Sequence, residues 1–453
     1  MGTYKDSGIE WIGEVPEGWG ITRMQDVASY KKGPFGSSLT LDMFVEKGES
    51  TYKVYEQKNA IQGDSHLGEY YIDEKTYNQL RGFSVQSNDI IVSCAGTIGK
   101  CTILPENCEP GIINQALMRV RINKNINIFY YLYLFNIELD YADRKFSNGS
   151  AIKNIPPFNV LKKLKLPLPP LQEQAAIADF LDKKNAEIDA ITEKITQQIQ
   201  ILKDYRQSLI TQTVTKGLDK TIAYKDSGIE SIGEIPEGWE ISTFKYLFDT
   251  NKGLTITKEN LVEVGIPVIN YGQIHSTFKT EVVSTDNALP KVSETFLIYQ
   301  KSLVKQGDFI FADTSEDLEG AGNFSTRLDS DSLLFAGYHT IISRAKYLDK
   351  FNYNYFKNLF DSDFFRNQIR IKVSGVKVFS ITQSILNNCM VLVPPLQEQA
   401  AIADFLDDKT AKIDRIIAKK EQQLDIIKEH RKSLIYEYVT GKKRVKEYQQ
   451  DGN

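Results

Sequence analysis

Catalysis and metal binding usually draw on histidine, cysteine and clustered carboxylates, and the spacing of such residues limits what they can do. Cys94, Cys101 and Cys108 stand seven apart and Cys389 is far away, so no C-x-x-C pair suggests a zinc ribbon or a redox motif. His66, His275, His339 and His430 are scattered singly, which argues against a histidine-based catalytic or metal cluster. The stretch CAGTIGKCT, residues 94–102, would need Gly in place of Cys94 and Ser or Thr in place of Cys101 to cradle phosphate. It reads as a strand and its turn.

Two further near misses fall the same way. NIPPF, residues 154–158, differs from the Asn-Pro-Pro-aromatic motif of amino-group methyltransferases because Ile155 separates the amide from the prolines, and no Gly-rich cofactor loop precedes it. The triplet Glu56-Gln57-Lys58 is too common to mark a nuclease. No catalytic residue, cofactor site or metal site is therefore expected in this chain.

Charge is more informative. With 55 basic and 59 acidic residues the net charge is −4, so any polyanion site must be local. Between Ile113 and Lys165 nine Lys or Arg face three acidic residues, and between Arg344 and Val378 eight face three. The text there is DRKFSNGSAIKN (143–154) and FRNQIRIKVSGVK (365–377). Cations, amides, hydroxyls and a flexible Gly suit phosphate contact plus base-edge reading. The candidates are Arg144, Lys145, Asn148 and Lys153 in one segment and Arg366, Arg370, Lys372 and Lys377 in the other. Lys32 and Lys252 join them from a faint match, KKG at Lys31 to Gly33 against NKG at Asn251 to Gly253.

The elements that must position these residues are written twice. YKDSGIEWIGEVPEGWGI (4–21) returns as YKDSGIESIGEIPEGWEI (224–241), and PPLQEQAAIADFLDKK (169–184) returns as PPLQEQAAIADFLDDK (394–409). The unit is an opening tag, a variable body and a closing helix. The bodies share SNDIIV (87–92) against QGDFIF (306–311) and little else, which predicts one fold with two surfaces. DIIVSCAG, ALMRVRI, IPVIN and DFIFAD read as strands, and IFYYLYLFNIELDY and NYNYFKNLFDSDFFRNQI as small helices.

After each Pro-Pro pair strong helix formers follow. Leu181, Ile188, Ile195, Leu202 and Leu209 recur every seven residues, with Ile177, Ile191 and Tyr205 as companions three to four residues earlier. Leu406, Ile413, Ile427 and Leu434 continue the register in the second copy, which Lys420 interrupts, while Ile417 and Leu424 broaden the stripe. That is a coiled-coil seam. YVTGKK at 438–443 parallels TVTKGLDK at 213–220, which runs straight into the second tag, so the termini belong side by side. Ile9, Ile12 and Trp19, with their partners Ile229, Ile232 and Trp239, then become straps that clamp each body to the helix end preceding it in the cycle.

At 453 residues the chain exceeds one hydrophobic core. The expected division is a first body at 1–165, a long helix at 166–217, a second body at 218–392, a second long helix at 393–442 and a tail at 443–453. The most apolar run, Ile128 to Ile137, is too short to cross a bilayer, and the N-terminus lacks a signal peptide's apolar core, which points to the cytoplasm.

The duplicated tag and the duplicated PPLQEQAAIADFLD helix start resemble the two conserved regions of the specificity subunit of type I restriction-modification enzymes, and the bodies resemble its target recognition domains. The resemblance covers nearly the whole chain. It implies an α+β fold: two α+β target recognition domains joined by two long helices in an antiparallel coiled coil, with a pseudo-twofold internal repeat and adjacent termini. It also implies a non-catalytic subunit that reads an asymmetric bipartite target on double-stranded DNA. Two modification subunits would bind S-adenosylmethionine and methylate adenine, and restriction subunits would use ATP and Mg. A scaffold of helices that binds only protein is the alternative.

Overall fold

A computed structural model describes residues 3–146, 158–375 and 378–446, except the side chains of 140, 142–146, 158 and 159. The backbone separates into two compact units, Met1–Glu193 with Leu424–Asn453, and Lys194–Gln423.

In the first unit β1 (Ala28–Lys32), β2 (Ile90–Ser93), β3 (Cys101–Ile103) and β4 (Leu117–Ile122) form an antiparallel sheet in the order β1-β4-β2-β3. Side chains alternate across a strand. Ile90 and Val92 thus join the core with Tyr131, Leu134 and Phe135 of α1 (Ile128–Phe146), while Ile91 packs on the other face with Tyr55 and Ile113. Burial on both faces explains the unbroken apolar run IIV. CAGTIGKCT is the β2–β3 hairpin, as read from its sequence. From this unit α2 (Leu171–Lys216) extends as one helix of 46 residues.

The second unit repeats the frame. Its strands β5 (Phe248–Lys252), β6 (Thr280–Val282), β7 (Phe309–Ala312), β8 (Phe324–Arg327) and β9 (Thr340–Ala345) run in the order β5-β9-β7-β8-β6, with β6 parallel to β8 at the added edge. The segment 352–369, read as one helix, is two. These are α3 (Tyr353–Asp361) and α4 (Asp363–Arg370), because Ser362 leaves helical geometry (φ −68°, ψ 151°) and its hydroxyl caps the Phe365 amide at 3.3 Å. The break lets Phe356, Phe360 and Phe365 face a single core. The chain closes with α5 (Leu396–Val439).

Ion pairs made by buried aspartates mark the common frame. Asp89, before β2, takes Arg121 of β4 in two parallel hydrogen bonds of 2.7 Å. Asp308, before β7, takes Arg344 of β9 at 2.9 and 2.6 Å. Each carboxylate also accepts a backbone amide three residues earlier, Gln86 at 2.8 Å and Lys305 at 2.7 Å. The faint SNDIIV and QGDFIF match therefore preserves a buried aspartate and the apolar strand behind it.

The repeated helix starts are sockets. Glu173 accepts the indole N–H of Trp19 at 3.1 Å, and Glu398 accepts that of Trp239 at 2.9 Å. Gln174 accepts the amide of Asn127 at 2.9 Å, and Gln399 accepts that of Asn352 at 3.0 Å. The tags strap onto helix ends as their cyclic order anticipates. In the first unit Tyr436 donates to the Trp11 carbonyl at 3.0 Å and Lys442 to that of Glu14 at 2.8 Å. In the second unit Lys216 donates to the Ile232 carbonyl at 2.7 Å. Gly441 (φ +75°) lies against Pro16 and Trp19, and Gly217 (φ +72°) against Pro236 and Trp239.

Within each unit the long helices pair antiparallel. In the first, Phe180 meets Tyr438 with ring centroids 4.4 Å apart, and Asp189 pairs with Arg431. In the second, Lys420 donates to Gln198 at 2.6 Å and Arg206 meets Asp414 at 2.9 Å. The seam differs from the sequence reading. Ile177 and Ile417 are buried as read, but Ile191 and Tyr205 are exposed, and companions lie four residues after heptad positions: Ile199 after Ile195, Arg206 after Leu202, Ile417 after Ile413 and Arg431 after Ile427. Several companions are polar because Asp189–Arg431 and Asp414–Arg206, repeat-related pairs, take the place of apolar contacts.

Candidate nucleic-acid interface

Lys32 and Lys252 end equivalent strands. Lys32 pairs with Met118 of β4 and Lys252 with Ile341 of β9, and both side chains are exposed. The glycine after each is required by close approach: a Cβ at Gly33 would overlap the Asn114 backbone, and one at Gly253 that of Gly337. The short text "KG" thus places a lysine at the same corner of both frames.

The other candidates diverge. Arg144 and Lys145 belong to the last turn of α1, and their side chains, with Asn148, Lys153 and Lys377, lie outside the described residues, as does most of NIPPF. Lys372 is exposed beyond α4. Arg366 and Arg370, expected to contact DNA, are tied to neighbouring carboxylates, amides and carbonyls. Arg366, its side chain 14% exposed, reaches Asp361 at 3.2 Å and the Glu319 carbonyl at 3.1 Å, and also Asn323. Arg370 donates to the same Glu319 carbonyl at 3.0 Å. A guanidinium held by carboxylate and carbonyl shapes the neighbouring loop.

The cysteines behave as packed thiols. Burial pushes Cys94 up to about 11, with Lys32 opposing the shift, and Cys101 and Cys389 up to about 12. Such thiols are poor nucleophiles. Among the described residues no group of three or more His, Cys, Asp or Glu could hold a metal ion, and no helix is long and apolar enough to cross a membrane.

The fold gathers residues that the sequence left scattered. Beside Lys252 lies a cleft of about 460 Å³ lined by Asp313, Thr314, His339 and Gln383. His339 Nδ1 stands 2.9 Å from Asp313 Oδ1, and the Thr314 hydroxyl donates to the same oxygen at 2.8 Å. His275 reaches the Thr314 carbonyl at 2.8 Å from behind. Two histidines 64 positions apart (339 − 275) therefore flank one threonine. Periodicity carries no trace of such a meeting, which sheet register creates.

Known proteins place this architecture. The family model described as the type I restriction modification DNA specificity domain matches twice, over residues 16–200 and 236–425. The chain belongs to this family, the specificity subunits of type I restriction-modification systems. It is 24% identical over 448 residues to the type I restriction enzyme MjaVIII specificity subunit of Methanocaldococcus jannaschii, covering 95% of this chain and 94% of the relative. It is 28% identical over 286 residues to the EcoKI specificity subunit of Escherichia coli strain K12, covering 60% and 55%. A solved chain from work on complex assembly and conformational transition of the type I R-M system shares the fold, with TM-score 0.69, 14% identity and coverage of 94% and 98%.

Proposed function

We propose that this subunit reads an asymmetric bipartite sequence on double-stranded DNA, one half-site per body, without chemistry of its own. The observation that carries this is the duplicated frame, which holds an exposed lysine at the same corner of each body while the surrounding side chains differ. Lys32 and Lys252 supply phosphate contacts, joined by Lys372 and by the basic segments around Arg144 and Lys377. Methyl transfer and cleavage belong to partner subunits in the cytoplasm: two modification subunits using S-adenosylmethionine, and restriction subunits using ATP and Mg. Paired partner sites are supported by exposed apolar residues on the helices. The first unit leaves Ile191 (49%) and Ile426 (61%) exposed, and the second leaves their repeat equivalents Ile416 (45%) and Ile201 (66%) exposed. The long helices set the interval between half-sites.

The test is a salt titration of DNA binding by the complex assembled with modification subunits. Replacing Lys32 and Lys252 together by Ala should reduce the slope of log affinity against log salt by about 1.8, near 0.9 for each phosphate that is no longer neutralised. An unchanged slope would assign those lysines no DNA contact and favour the protein-only scaffold.

A further inference from the structure

The two bodies can be compared atom for atom at one place. The Cys94 amide donates to the Ala116 carbonyl at 2.9 Å in the first body, and the Asp313 amide donates to the His339 carbonyl at 3.0 Å in the second. Strand register fixes the same correspondence, since Ser93 pairs with Leu117 and Ala312 with Thr340. Next to the equivalent lysines, one body therefore has a thiol turned into its core and an alanine methyl, and the other has an aspartate and an exposed histidine.

His339 adopts φ +57°, the left-handed region that a side chain with a Cβ avoids. Asn88, Thr280 and His339 are the non-glycine residues with positive φ among the described residues, so the equivalent Ala116 meets the same frame without that conformation. The frame does not impose the strain. Such outliers collect where a side chain is aimed at a ligand. Tyr338 and Tyr271 stand edge-on to the imidazole, with centroids 5.1 and 5.5 Å away, and hold its plane. With Nδ1 turned to Asp313, Nε2 is the ring nitrogen left to interact across the cleft.

We propose that the cleft beside Lys252 reads base edges of the second body's half-site, with His339 as a specificity-determining residue oriented by Asp313. This rests on the DNA-reading function above. Lys252 anchors a phosphate at the mouth of the cleft, as a point charge does. His339 Nε2 and the Gln383 carboxamide present hydrogen-bonding groups of the kind that distinguish base pairs. The first body, with Cys94 buried and only the Ala116 methyl at the matching place, has no polar side chain there to read a base edge. That difference gives the asymmetry of the target a local chemical cause.

His339→Gln and Asp313→Asn, made separately in the full complex with modification subunits, test this by mapping methylated adenines in cells. The expected result is one half-site relaxed or altered at a single position, with preference there falling about ten-fold, while the other half-site persists. Two unaltered half-sites in both variants would overturn the inference. Loss of both half-sites together would mark the pair as bracing and overturn it equally. Failure of the DNA-reading function itself would appear differently, as an unsubstituted complex that methylates no defined sequence.

Discussion

Glu138 in α1 is fully buried, and neither carboxyl oxygen has a hydrogen-bond partner among the described residues. Burial alone pushes its ionisation from 4.5 up to about 8, so the fold carries it protonated at neutral pH. Native protein then binds a proton that unfolded chain has released anywhere between those values. The stabilisation is complete below pH 4.5 and is lost as pH rises through 8. The interval of 3.5 (8 − 4.5), at about 1.36 kcal/mol per pH unit, gives a loss on the order of 5 kcal/mol. Glu138→Gln removes the titration and keeps the shape. Denaturant unfolding of both proteins, followed by tryptophan fluorescence in a Trp239→Phe background so that Trp11 and Trp19 report the first unit, should show a gap that widens in favour of the variant from pH 5 to pH 8. Stability curves that stay parallel across that range would refute the reasoning, because they would mean that Glu138 ionises as a solvated carboxyl does.

Glu173 accepts Trp19 and also Arg444, the latter at 2.9 and 3.1 Å, so Glu173→Ala takes the carboxylate from a largely buried guanidinium and should destabilise the first unit by about 3–5 kcal/mol. Glu398→Ala, which orphans the Trp239 indole, should cost about 1–3 kcal/mol, and denaturant midpoints for the two units would show the contrast. Gly441→Ala combines a left-handed φ of +75° with overlap on Pro16, so it should lower the first unit's melting temperature and speed proteolysis of the tag. Inserting seven residues into both α2 and α5 adds about 10 Å of helix, and methylation mapping should return the same half-sites with a spacer longer by about 3 base pairs.

The sequence by itself determined the repeat, the α+β bodies, both long helices and their straps. Those features rest on covalent order and local preference: proline before helix formers, unbroken apolar runs in IIV and FIF, and the sockets Glu173, Gln174, Glu398 and Gln399 written twice because each must meet the same partner. Tertiary structure alone decided which residues turn outward. Ile191 has the spacing of a seam residue yet is exposed, since a heptad pattern specifies a stripe and not which edge of it the partner covers. Arg366 and Arg370 stand out in the sequence by charge, and only the fold shows that both donate to the Glu319 carbonyl. Asp313 and His339 become neighbours only through the pairing of β7 with β9, a long-range register that no local spacing encodes.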